Sequence, residues 1–173
     1  MQYTEDELRA QLSDAEDLPF GPARTSAVEQ IVAQADAGGL DEFALEARIE
    51  LINAYHEGNE PAKEFSVFGW CLAYWDAHPD SVGPWEAEML RWQYKWVVNS
   101  LTRFPTISLD QTAAALADMK ERYIRGGHSL QAVHSRWHSF ARHVGDRATA
   151  EEQFRLWQAA PRDENSDCAG CDP

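Results

Sequence analysis

Strong stop signals recur along this 173-residue chain at intervals suited to single helices. Leu18-Pro19-Phe20-Gly21-Pro22, Gly38-Gly39, Gly58-Asn59, His78-Pro79, Pro105, Gly126-Gly127, Gly145-Asp146 and Pro161 each break a regular element, through a missing N–H at proline or a freed backbone at glycine. Start signals stand just after most of them. Thr4 with Glu7, Ser26 with Glu29, and Ser108 with Gln111 have the spacing of capping boxes, in which a hydroxyl and a carboxylate or amide satisfy orphan N–H groups at a helix start. Asp41 and Ser129 are single caps, Asn59 is a cap ahead of Pro61, and Pro61 and Pro84 suit first helical turns. After a short acidic helix opened by Thr4, helices are therefore predicted to start near 26, 41, 60, 84, 108, 129 and 147. No segment alternates β-branched and polar residues between hairpin turns, so the fold class is all-α.

Apolar spacing agrees. Phe43, Ala47, Leu51, Ala54 and Tyr55 keep to one helical stripe. Met89, Trp92, Trp96 and Leu101 do the same, as do Leu116, Met119 and Tyr123. Residues 65–75 (FSVFGWCLAYW) are apolar nearly all round, which predicts a helix covered on several sides. Most of the seven Trp fall on these stripes and read as core rather than as an aromatic ligand groove.

Paired, the blocks form helical hairpins of roughly 34–45 residues, a repeat length typical of helical solenoids. Gly145-Asp146 followed by Ala150, Phe154 and Pro161 resembles the second half of a tetratricopeptide repeat (TPR), where a tight turn precedes a small residue and then an aromatic. Ala54-Tyr55, Gly58-Asn59, Ala62 and Phe65 are a looser echo. The resemblance covers residues 26–161, most closely 129–161, and departs where the helices over 60–78 and 84–104 run long and where Trp137 or His138 stands at a usual small site. It implies antiparallel helical hairpins stacked as a short TPR-like right-handed α-solenoid. Residues 1–22 are then an acidic arm and Pro/Gly linker, 23–161 the repeat domain, and 162–173 a polar tail with a C-x-x-C pair. The implied function is a non-enzymatic scaffold that binds a peptide or partner protein on the face lined by first helices. Glu46, Glu50, Asn53 and Glu57 would contribute from one hairpin, Arg91, Lys95 and Asn99 from the next, and His134, Arg136 and His138 from the last. A solvated polar face is the plainer reading of each taken alone. A polar capping helix is expected after the last hairpin of a solenoid, which suggests the N-terminal part of a longer repeat protein, self-associating through its terminal hairpin.

Charge narrows the partner. Asp and Glu total 29 against 15 Lys and Arg, a net −14, which excludes a conventional nucleic-acid binder because phosphate neutralisation needs a basic face. Residues 1–60 hold 14 acidic and 3 basic side chains, whereas within 120–147 six basic residues face only Glu121 and Asp146. No apolar run reaches the roughly 18 residues of a membrane span. The first ten residues are acidic without an apolar core, so no signal peptide is expected and a cytoplasmic location follows.

One constellation suggests chemistry. Cys168-Ala169-Gly170-Cys171 places two thiolates on one side of a tight loop, and His134 and His138 lie four apart on one helix face. Two Cys and two His make a tetrahedral zinc set, with His128 and His143 as substitutes. A last helix returning antiparallel would bring the chain after Pro161 back to the start of the His134 helix. A zinc-binding helical domain with a regulatory or catalytic role is thus the alternative to the scaffold, and an unliganded polar tail the plainer reading. Cys71 reads as a small buried hydrophobe. No Gly-rich phosphate loop, nucleophile elbow or H-E-x-x-H is present, so no catalytic residue is assigned.

Overall fold

A computed structural model describes residues 3–163. The described residues form eight α-helices and a short 3-10 turn (Pro79–Ser81), with no strand: α1 (Glu5–Glu16), α2 (Pro22–Gly38), α3 (Asp41–Glu57), α4 (Pro61–Ala77), α5 (Pro84–Leu101), α6 (Leu109–Arg125), α7 (Gln131–Val144) and α8 (Arg147–Ala159). The chain is all-α. No helix among these residues is long and apolar enough to cross a membrane.

Local chemistry sets most of the boundaries. Thr4 and Ser108 each close a complete capping box, with Glu7 and Gln111 respectively. Asp146 accepts from the Thr149 N–H and opens α8. Gly39 and Gly145 end α2 and α7 in the left-handed region, at φ 66 and 78, where a Cβ would be strained. Three predicted starts move. Ser26 lies inside α2, because Pro22 begins that helix a full turn earlier, and Glu29 bonds to Tyr55 instead of capping. Leu40, not Asp41, occupies the cap of α3, and Glu60, not Asn59, that of α4. Ser129 sits one place further out than a cap, yet its hydroxyl still accepts from the Gln131 N–H at 3.1 Å.

The chain divides into two compact units, Met1–Leu90 and Arg91–Pro173. In the first, α1 packs on α2, α2 on α3 and α3 on α4. Leu8, Leu12 and Ala15 of α1 join Val28, Ile31, Val32 and Ala35 of α2 and Phe43, Ala44, Ala47, Leu51 and Tyr55 of α3 in one buried cluster. The helix expected to form a loose arm is therefore part of this core, since burying a Leu side chain contributes about 1.5–3 kcal/mol. Helix α3 is sheathed, with eleven buried residues that include Arg48 and Glu50. Helix α4, expected to be covered on several sides, buries only Glu64, Phe68 and Cys71 and leaves Phe65 42% exposed.

In the second unit α7 packs closely against α8, and α6 touches α7 more sparingly. Leu116, Met119 and Tyr123 of α6 are buried, as are Ala132, Val133 and Ala141 of α7 and Ala150 of α8. Two hydroxyls tie α6 to residues of α5: Tyr123 donates to the Arg91 carbonyl at 3.0 Å and Tyr94 to the Asp118 carboxylate at 2.8 Å.

Candidate functional site

The first unit's polar groups turn inward. Arg24 Nε donates to Glu50 at 2.9 Å, Arg24 Nη1 donates to the Glu16 carbonyl at 2.7 Å, and the guanidinium lies 4.2 Å from the Phe20 ring centroid. One side chain thus fastens the end of α1 and the connection after it to α3. Arg48 forks onto both oxygens of Asp36 at 2.9 and 2.7 Å and stacks 3.7 Å from the Trp70 ring centroid. Glu29 accepts from the Tyr55 hydroxyl at 2.6 Å and pairs with Lys63 at 3.3 Å. Burial, reinforced by this carboxylate, raises the Tyr55 phenol, and the Tyr55 bond holds Glu29 below the usual carboxylate range.

These bonds occupy several residues expected to face a partner. Glu50 is the buried end of the Arg24 pair, Asn53 donates to it at 3.1 Å, and Glu46 pairs with Arg9. Of the four predicted on α3, Glu57 is the one left exposed. On α5, Arg91 and Lys95 are buried, Lys95 with its ammonium 3.1 Å from the Trp92 ring centroid, and Asn99 is exposed. On α7, half-buried Arg136 donates to Ser135 at 3.2 Å.

The expected zinc ligands fall partly outside the described residues, where Cys168 and Cys171 lie. His134 and His138 do share a face of α7, and it looks at α8. His134 Nδ1 is 2.8 Å from the Gln153 amide oxygen, and His138 Nδ1 donates to the Ala150 carbonyl at 2.9 Å. The His138 ring also lies 5.4 Å from that of Phe154 and 5.8 Å from that of Trp157. Both imidazoles therefore help join α7 to α8. No group of three or more His, Cys, Asp or Glu among the described residues is arranged to hold a metal ion. The chain leaving α8 does return to the start of α7: the Ser129 N–H donates to Asp163 at 2.6 Å, and the Ser129 hydroxyl donates to the Pro161 carbonyl. Cys71 is buried, and burial pushes its thiol up to about 12, which leaves it inert as a nucleophile near neutral pH.

A groove of about 630 Å³ opens along α6, α7 and α8. Since α7 touches both α6 and α8, it forms the floor, with buried Val133 and half-buried His134 and Trp137. Ala117, Lys120, Glu121 and Ile124 make the α6 wall, and Thr149, Glu152, Gln153 and Leu156 the α8 wall. The groove thus involves two second helices of hairpins, whereas the repeat resemblance implied a surface of first helices. Helix α6 buries Leu116, Met119 and Tyr123 and turns a mixed face, Ala117, Lys120, Glu121 and Ile124, to the groove, with Ile124 55% exposed. Among the described residues, Lys120, Glu121 and Glu152 form no ion pair, so the rim presents two carboxylates and one ammonium to solvent. With Lys120 and Glu121 between Ala117 and Ile124 on that side, the sequence carried no stripe signal for this second face. Nor did it signal the gap between α6 and α8. No family model matches the chain, and no curated protein or solved structure does.

Proposed function

We propose that the chain is a non-enzymatic protein-interaction module, a short TPR-like right-handed array of antiparallel hairpins, that receives a peptide or a segment of a partner protein in the groove over α7. The carrying observation is apolar surface left open in this groove, where Ile124 is 55% exposed and Trp137 and Leu156 also line the space. Apolar surface kept open to water forgoes about 25 cal/mol per Å² of stabilisation, which an incoming apolar face would recover. Support for the repeat reading comes from the left-handed Gly145 turn, the buried Ala150 one turn later, and the sequential packing of neighbouring helices. Phe154 departs from it, since this aromatic is 37% exposed and meets His138 at a tilt and Trp157 edge-on rather than filling a gap between hairpins.

Selection from a displayed random-peptide library, run in parallel on the native chain and on Leu156→Arg, tests the reading. Peptides enriched on the native chain and lost on the variant support it. Absence of enrichment, or equal enrichment on both, removes it.

A further inference from the structure

Resting on that groove reading, we infer that the occupant is an amphipathic α-helix with basic residues along both flanks of its apolar stripe. Three features of the groove lead there. The first is size. The α6 wall runs from Ala117 to Ile124 and the α8 wall from Thr149 to Leu156, eight residues each, whose seven steps rise roughly 10 Å at about 1.5 Å per residue. That is about two helical turns, and two turns of an amphipathic helix present about three or four apolar side chains on one face. The groove's 630 Å³ suits such a set, not a whole folded partner.

The second feature is the floor. Val133 and the Trp137 ring give the floor its carbon surface, Leu156 adds to it from the α8 wall, and the Gln153 amide oxygen already meets His134. An extended segment lying there would depend on rim side chains alone for its N–H and C=O groups, since no strand edge exists among the described residues to take them. A helix satisfies its own backbone. Because α6 and α8 both touch α7 while leaving the space above it open, a fourth helix in that space packs against all three walls.

The third feature is charge. Glu121 on one wall and Glu152 on the other stand on opposite sides of the apolar floor, neither paired among the described residues. A helix whose Lys or Arg side chains flank its stripe on both sides meets both carboxylates. Lys120 sits beside Glu121 midway along the same wall and fits one acidic residue within that flank of the ligand.

The test uses three synthetic peptides of equal length, titrated into the full chain at low salt by calorimetry. One is a stapled helix with Leu at i, i+3, i+4 and i+7 and Lys on both flanks. The second carries Glu in place of each Lys. The third keeps the Lys-flanked composition but places Pro at two central positions, so that it cannot be helical. The Lys-flanked helix is expected to bind about tenfold or more tightly than either, with affinity falling as salt rises. A double variant, Glu121→Lys with Glu152→Lys, is expected to reverse the preference toward the Glu-flanked helix. Equal binding of the Glu-flanked or Pro-containing peptide, or a preference unmoved by the double variant, overturns the basic-helix assignment while leaving a peptide-binding groove. If none of the three binds and Leu156→Arg retains every peptide selected from the library, the groove reading falls as well.

Discussion

The two units handle charge in opposite ways. All four basic side chains of the first, Arg9, Arg24, Arg48 and Lys63, are bonded to carboxylates of the same unit. In the second, Arg122 is held by Asp118 and Arg147 by Glu151, but the groove keeps Lys120, Glu121 and Glu152 unpaired among the described residues. A paired, desolvated charge fixes how helices sit on one another, because any other register strands it. An exposed, unpaired charge fixes nothing internally and remains available to a partner. Substitutions in the first unit should therefore cost stability, and those on the rim should alter recognition alone.

The largest effect is expected at Arg24. Arg24→Met leaves Glu50 buried without its partner and frees the Glu16 carbonyl, and should lower unfolding free energy by about 3–5 kcal/mol. Urea denaturation measures this, and the double variant Arg24→Met with Glu50→Leu should recover most of the loss. A single-variant cost below about 1 kcal/mol would mean the pair is solvated and the contrast between units is false.

A smaller, pH-specific effect is expected at Tyr55. Its phenol is raised in the folded chain, mainly by burial and then by Glu29, so the neutral form is favoured in the native state. The associated stability is fully present below the ordinary tyrosine value near pH 10 and is lost as pH climbs above it, where the unfolded chain releases the proton first. Glu29 is lowered by the same bond, so its contribution is present above the ordinary carboxylate range and fades as pH falls through it. Tyr55→Phe should cost about 1.5–3 kcal/mol at pH 7 and flatten the alkaline decline. Unfolding midpoints at pH 7, 9 and 11 compare the two chains, and parallel declines would remove Tyr55 as the cause.

The same contrast explains what the sequence could reveal. Caps made within three residues, Thr4 with Glu7 and Ser108 with Gln111, were legible because both partners are local, whereas the Asp146 cap of α8 stood in the sequence as a turn. Ser26 with Glu29 had the same spacing and misled, since Pro22 opened the helix earlier and Glu29 answered to Tyr55, 26 residues away. Helices α3 and α4 show the limit most clearly. The charged α3 is sheathed because Arg48 and Glu50 find Asp36 and Arg24 on α2, while the apolar α4 keeps Phe65 in solvent. Periodicity reports which residues can share a face, not which faces meet a neighbour. For that reason the core stripe of α6, Leu116, Met119 and Tyr123, was visible, but the groove on its other side depends on how far α8 stands from α6.

The smallest effect belongs to the rim. Glu121→Gln with Glu152→Gln removes two carboxylates that touch no cation among the described residues and keeps their shape. Stability should shift by no more than about 0.5 kcal/mol, the usual range for surface positions away from caps and core. Urea midpoints at low and high salt read this directly. A loss above about 1 kcal/mol would show that the rim carboxylates hold the second unit together much as Glu50 holds the first. In that case the units would not differ in kind, and the charges over α7 would be structural before they were available to any ligand.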